Sequence, residues 1–139
     1  MSLNTDHLKR CIDTLESALG MLGKSEPGEL EYEVFRNAAV KGFALTLETS
    51  GKLLRKCLKP YLATAKEADR LTFKDVFRTA ARHGLLSPDA VERWFKYRDN
   101  RNTTAHDYGE GFAEETLVLL PDFVSDARAL LEVVGNAPA

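Results

Sequence analysis

The sequence has little cysteine and no long hydrophobic run. Its two cysteines, Cys11 and Cys57, are far apart, form no C-x-x-C spacing and have no histidine placed to complete a zinc site. Both lie among apolar residues at helical spacing, which predicts buried, reduced thiols rather than a disulfide or metal ligands. No stretch approaches the roughly 18 consecutive apolar residues of a membrane span. We therefore expect no contact with a membrane.

A secretion signal is also lacking, because the opening residues, MSLNTDHLKR, are polar and no apolar run follows them. We therefore expect a cytoplasmic protein. A chain of 139 residues is long enough for one hydrophobic core and too short for two. We expect a single domain over residues 1–139, with the final segment, 135–139, disordered.

An overall excess of basic residues is lacking as well. The chain has 19 Lys and Arg against 21 Asp and Glu, which argues against a protein that coats nucleic acid with a generally basic surface. Basic residues are nevertheless concentrated in two places, each of which could be a solvated helix face or a phosphate-binding patch. The first holds Arg93, Lys96, Arg98 and Arg101, and the second holds Lys52, Arg55, Lys56 and Lys59.

Strand and hairpin signals are absent, since no segment alternates between apolar and polar residues. Apolar residues recur at helical spacing instead, and the fold predicted is all-α: an up-and-down bundle of about five helices with a long second helix. The helices expected cover residues 8–22, 30–62, 72–83, 87–102 and 112–134. Within them, Gly42 and Gly51 predict close approach of another backbone to the long helix, and Pro121 predicts a kink or a break in the last.

Polar side chains crowd into the segment RDNRNTTAHDYGEG, residues 98–111. Arg101 suits bidentate binding of a phosphate, His106 suits proton transfer, and Tyr108 offers a hydroxyl nearby. Each also has an ordinary alternative. The histidine could be a helix cap or a surface group, the arginine could pair with a neighbouring acid, and the tyrosine could belong to the core.

Helix geometry restricts how these residues could cooperate. On a continuous helix Arg101 and His106 would lie about 140° apart around the axis and could not serve one site. A shared site therefore requires the helix to end inside the motif. The poor helix formers at 102–104 and the following Gly109 favour such an end.

The motif RNTTAHDY resembles the R-x4-H-x-Y signature of the HEPN superfamily through Arg101, His106 and Tyr108, with Asn102 at the polar position after the arginine. The run GFALTLETSGKLL resembles the F-x-x-T-x-E-x-x-x-K-x-L pattern of its nucleotidyltransferase substrate-binding, HepT-like toxin branch. The residues that carry this second likeness are Phe43, Thr46, Glu48, Lys52 and Leu54.

The resemblance implies a helical bundle that forms homodimers, with the two motifs facing each other across the interface. It also implies a metal-independent ribonuclease without cofactors, which acts as the toxin of a toxin-antitoxin pair. The antitoxin would be a minimal nucleotidyltransferase that transfers AMP onto Tyr108, a modification termed AMPylation.

Roles for the remaining candidates follow from this resemblance. His106 would act as general base or acid on a ribose 2′-OH that attacks the adjacent phosphodiester of RNA, while Arg101 holds the phosphate. Asn102 and Glu48 would support them. The RNA-binding patch expected comprises Arg93, Lys96 and Arg98.

Two other functions remain open from the sequence. The chain could be a non-catalytic substrate-binding subunit of a nucleotidyltransferase complex, or a helical adaptor without chemistry of its own.

Overall fold

The computed structural model describes residues 3–106 and 110–137, without the side chains of residues 104–106, 110 and 112. This part of the chain is all-α, as predicted, and contains no strand. Its helices are α1 (Asp6–Gly23), α2 (Leu30–Cys57), α3 (Ala65–Arg70), α4 (Phe73–Arg82), α5 (Pro88–His106) and α6 (Glu110–Gly135).

The long helix α2 ends at Cys57, five residues earlier than expected. A short 3-10 turn, Lys59–Tyr61, follows and contains Pro60. Proline has no N–H to donate, and its ring disfavours helical conformation in the residue before it, so the helix ends upstream of it.

Helix α3 is an addition to the five helices expected. The Thr64 hydroxyl accepts a hydrogen bond from the N–H of Glu67 at 3.2 Å, and the Glu67 carboxylate accepts one from the N–H of Ala63 at 3.2 Å. These reciprocal bonds resemble the capping box that the spacing T-x-x-E encodes. The signal for α3 was therefore present in the sequence.

Helix α6 continues through Pro121, so of the kink or break expected there, the break is wrong. Leu120 and Phe123, on either side of the proline, are completely buried, and their packing holds the segment in place. Residues 135–137, the start of the tail expected to be disordered, belong to the described part. Gly135 ends the helix, and the N–H of Asn136 donates to the carbonyl of Glu132 at 3.1 Å. Residues 138–139 lie outside the described part.

The principal helices alternate in direction. Helix α5 is antiparallel to α6, because Arg93 contacts Asp126 whereas Asn100 contacts Thr116. Helix α2 runs parallel to α6, since Tyr32 contacts Glu114 and the ring of Phe43 packs edge-on against that of Phe123. Helix α1 is antiparallel to α2, with its Leu15 beside Gly42. The short α3 and α4 connect α2 to α5.

Aromatic rings form the centre of the core. Phe123 of α6 lies at its middle, 4.8 Å from Phe43, 5.6 Å from Trp94 and 5.0 Å from Tyr97, measured between ring centroids. All three pairs meet edge to face, an arrangement that contributes about 0.5–1.5 kcal/mol per pair beyond the burial of apolar area. This cluster joins α2, α5 and α6.

Both cysteines are buried, as expected. Burial raises the pKa of the Cys57 thiol. His7 precedes Cys11 by one helical turn, and its Nε2 is 3.7 Å from the sulfur. The described residues contain no group of three or more potential metal ligands. They also contain no helix with the length and hydrophobicity to span a membrane.

The two glycines of α2 make room for different neighbours. At Gly42 an added Cβ would lie 3.7 Å from the Cα of Leu15, which confirms close approach of the α1 backbone. At Gly51 it would lie 2.8 Å from Cε2 of Phe73, so the neighbour here is an aromatic ring rather than a backbone. Gly51 therefore determines where the first residue of α4 can pack.

Replacing Gly51 with alanine tests this packing. We expect Gly51→Ala to lower the free energy of unfolding by about 1–3 kcal/mol, because the ring of Phe73 has to move. Gly20→Ala is the control: a Cβ at Gly20 meets nothing within 4 Å, and alanine should stabilise α1 by about 0.5–1 kcal/mol. Urea denaturation measures both, and equal stability of the two variants would refute the assignment.

Candidate functional site

The R-x4-H-x-Y motif lies at the junction between α5 and α6. Residues 102–104 stay helical, contrary to their low helix propensity, and α5 ends at His106. The Thr103 hydroxyl donates to the carbonyl of Asp99 at 3.0 Å, a bond that satisfies a threonine inside a helix. The side chain of His106 and all of Tyr108 lie outside the described residues.

The continuous helix separates the two polar residues expected to act together. With Arg101 and His106 both on α5, their directions from the axis differ by about 140° and their positions along it by about 7.5 Å. On an ideal helix these two positions do not share one face. Cooperation between Arg101 and His106 stays a prediction. It requires either that the long arginine side chain reaches around the helix or that the two residues come from different subunits.

Arg101 is half-buried, and its Nε is shielded from solvent. Its neighbour Asn100 accepts a hydrogen bond from the Thr116 hydroxyl at 2.9 Å, which joins the end of α5 to the second turn of α6. Asn102 is exposed. Arg101 thus belongs to a helix rather than to a loop.

A second arginine, Arg36 of α2, is buried near the start of α6 and was not predicted. Its Nη1 lies 4.0 Å from the Glu114 carboxylate, which also accepts hydrogen bonds from the Tyr32 hydroxyl at 3.0 and 3.2 Å. These three residues line a cleft of about 490 Å³ beside the first turns of α6. The sequence contained one signal for the burial of Arg36: it precedes the buried Ala39 by three residues and so lies on the same apolar face of α2.

Arg93, the first member of the expected RNA-binding patch, is held by α6. Its Nε and Nη2 donate to the two carboxylate oxygens of Asp126 at 2.8 and 2.9 Å. The Tyr97 hydroxyl donates to the same carboxylate at 2.5 Å. The hydrogen bond to Asp126 raises the pKa of Arg93, and burial followed by this hydrogen bond raises the pKa of Tyr97. Arg93 therefore ties two helices together.

Of the other two members of that patch, Lys96 follows Arg93 by three residues and lies on the same side of α5, whereas Arg98 lies on a different side. Arg98 lies with its Cζ 4.8 Å from the ring centroid of Phe73 in α4, about 140° around α5 from Arg93. Lys96 is exposed. The sequence could not reveal this separation, because the acid that binds Arg93 is 33 residues away in the chain.

Two residues of the second basic group, Lys52 and Arg55, line one cleft of about 260 Å³ together with Glu48 and Arg98. Nη1 of Arg55 also donates to the carbonyls of Ala68 and Leu71, both at 2.6 Å, and so binds the C-terminal end of α3. Glu48 is exposed, and no ion pair joins it to Lys52 in the described part of the chain.

The fold and motif define an all-α bundle with a polar signature at the end of its fifth helix. The family described as nucleotidyltransferase substrate binding protein like matches residues 3–135. The chain belongs to this family, which confirms the resemblance found in the sequence. A Haemophilus influenzae protein named probable ribonuclease HepT is 25% identical over 134 residues, covering 94% of this chain and 90% of that protein.

Solved structures have the same fold. A Haemophilus influenzae protein described as the substrate binding domain of a nucleotidyltransferase matches with a TM-score of 0.81 at 24% identity, covering 94% of this chain and 98% of its own. A Shewanella oneidensis HEPN toxin, tri-AMPylated and in complex with its MNT antitoxin, matches with a TM-score of 0.66 at 14% identity, covering 95% and 98%.

The bonds of Asp126 lead to a prediction about stability at alkaline pH. The folded state keeps the Tyr97 proton after the unfolded state has lost it, so the free energy of unfolding falls as pH rises above about 10. We expect Tyr97→Phe to reduce this fall and to cost roughly 1 kcal/mol at neutral pH. Denaturation at several pH values measures both effects. Tyr61→Phe, which removes an exposed hydroxyl, is the control, and an unchanged alkaline slope in Tyr97→Phe would contradict the assignment.

Proposed function

We propose that this chain is a metal-independent endoribonuclease of the HEPN type, active as a homodimer in the cytoplasm. The observation that carries the proposal is the R-x4-H-x-Y motif, which starts at a half-buried arginine in the last turns of α5. Family membership and the 25% identity with the probable ribonuclease support it.

In the proposed reaction His106 removes the proton of a ribose 2′-OH. The 2′ oxygen then attacks the adjacent phosphorus, the bond from phosphorus to the 5′ oxygen breaks, and a second imidazole protonates that leaving oxygen. The products are a 2′,3′-cyclic phosphate and a 5′-hydroxyl. Arg101 holds the phosphate and stabilises the charge that develops on it. No metal or cofactor takes part.

A homodimer resolves two difficulties of this scheme. One histidine per chain cannot be acid and base at once, whereas a twofold axis brings two copies of His106 to one cleft. Arg101 and His106 also diverge by about 140° on α5, and a site drawn from both subunits does not need them on one face. Asn102, exposed beside Arg101, would orient the phosphate, with Glu48 in support from α2.

We propose further that the chain is the toxin of a toxin-antitoxin pair and that its partner is a minimal nucleotidyltransferase. Transfer of AMP onto Tyr108 would add bulk and negative charge two residues from His106 and thereby exclude RNA. The likeness in fold to the AMPylated Shewanella toxin supports this mode of control.

A second candidate is a non-catalytic substrate-binding subunit of a nucleotidyltransferase complex. The family description and the Haemophilus structure with a TM-score of 0.81 favour it. A helical adaptor without chemistry is a third candidate, but it leaves a clustered arginine, histidine and tyrosine without a role.

Incubation of the purified protein with RNA in EDTA tests the nuclease. We expect wild type to cleave and His106→Ala to lose at least about 100-fold in rate, because a general acid–base group contributes roughly 10²–10⁴-fold. Arg101→Lys keeps the charge but loses the two-pronged geometry and should fall by at least about tenfold. His83→Ala removes an exposed histidine at the end of α4 and is the matched control.

Two results would count against the nuclease. Equal cleavage by wild type and His106→Ala would assign the activity to a contaminant. The second result has two parts: wild type does not cleave RNA, and Tyr108 gains about 329 Da when the protein is incubated with ATP and the nucleotidyltransferase. It would favour the substrate-binding candidate over the nuclease.

A further inference from the structure

A small cleft separate from the histidine lies where α2, α4 and α5 meet. Its volume is about 260 Å³. Helix α2 contributes most of its lining, and α4 and α5 contribute one residue each. The lining residues are Glu48, Gly51, Lys52, Arg55, Phe73 and Arg98.

Positive charge dominates this cleft, with three cationic side chains against the single carboxylate of Glu48. Lys52 and Arg98 have no carboxylate within ion-pair distance in the described part of the chain. Arg93 and Lys74 differ from them, because each is paired with an acid at 2.8–2.9 Å. The cleft therefore presents cations whose charge the protein itself does not neutralise.

The position of Arg98 is fixed before any ligand binds. Its guanidinium carbon lies 4.8 Å from the ring centroid of Phe73, and that ring packs against α2 where Gly51 has no side chain. Stacking holds the planar group in one orientation and reduces the conformational entropy that binding would cost. Arg98 is only partly buried, so solvent and a ligand can still reach it.

Arg98, which lines the cleft, precedes the first residue of the motif by about one turn of α5. Arg98 and Arg101 are three residues apart, so their side chains leave the helix on the same side, about 5–6 Å apart at Cβ. A strand whose phosphate lies at Arg101 can therefore reach Arg98 with a neighbouring phosphate. Lys52, on the opposite wall, can bind the same group.

We propose that this cleft is a phosphate subsite for the RNA strand, occupied by the backbone of a nucleotide that flanks the cleaved bond. Lys52 and Arg98 bind the phosphate, and Phe73 positions Arg98. The inference rests on the proposed nuclease function and adds to it the surface that aligns the substrate. Arg98 is the residue that this subsite shares with the patch expected from Arg93, Lys96 and Arg98.

The test measures binding of a short fluorescent single-stranded RNA by anisotropy at several salt concentrations. All proteins carry His106→Ala so that the strand stays intact. We expect Lys52→Gln and Arg98→Gln each to raise the Kd roughly tenfold and to lower the salt slope by about 0.7, the value for one lost phosphate contact on a single strand. Lys24→Gln, at an exposed lysine after α1, should change Kd by less than about twofold.

The possible failures are distinguishable. If the cleft variants bind RNA as Lys24→Gln does, the subsite is refuted while the nuclease proposal stands. A loss of affinity without a change in salt slope would assign Lys52 and Arg98 a role in folding and would also refute it. If the His106→Ala protein binds no RNA, the subsite and the nuclease proposal fall together.

Discussion

The carboxylate of Asp126 is the constraint on which the position of the motif depends. It accepts two hydrogen bonds from Arg93 and one from Tyr97, and so joins the middle of α5 to α6. Phe123 of α6 packs against α5 beside this junction. Because α5 is helical up to His106, positions 101 and 106 lie about 140° apart around the axis of an ideal helix. That separation is why a site made by two subunits is the natural form of the proposed enzyme.

Much of the fold could be predicted from the sequence, because helical periodicity and capping residues are local. The periodic apolar positions indicated the principal helices, and Thr72 caps α4 as its spacing to Asp75 suggests. The errors arose where tertiary packing overrode a local signal, or where the signal was too short to be noticed. Pro121 does not break α6, since buried neighbours hold the helix. Helix α3 was missed, although its cap is visible as T-x-x-E around Thr64.

The candidate site was predictable only in part. A motif within eight residues of sequence predicts that Arg101, His106 and Tyr108 belong to one site. The family match confirms the family membership that this motif implies. Charge clusters were a poorer guide, because the partner of a charged residue can be far away in sequence. Arg93 is bound by α6 and Arg98 stacks on α4, so neighbours in the chain serve different helices. The buried Arg36 is a further case, because the acid near it, Glu114 of α6, is far away in the sequence.

A mixed dimer with one intact His106 and one His106→Ala subunit tests the shared site most directly. Two differently tagged chains are co-expressed, the mixed species is purified, and its rate of RNA cleavage is compared with that of wild type. If both histidines serve one cleft, the rate should fall at least about tenfold, because acid or base is lost from every site. A rate of about half of wild type would mean that each subunit works alone, and it would contradict the account.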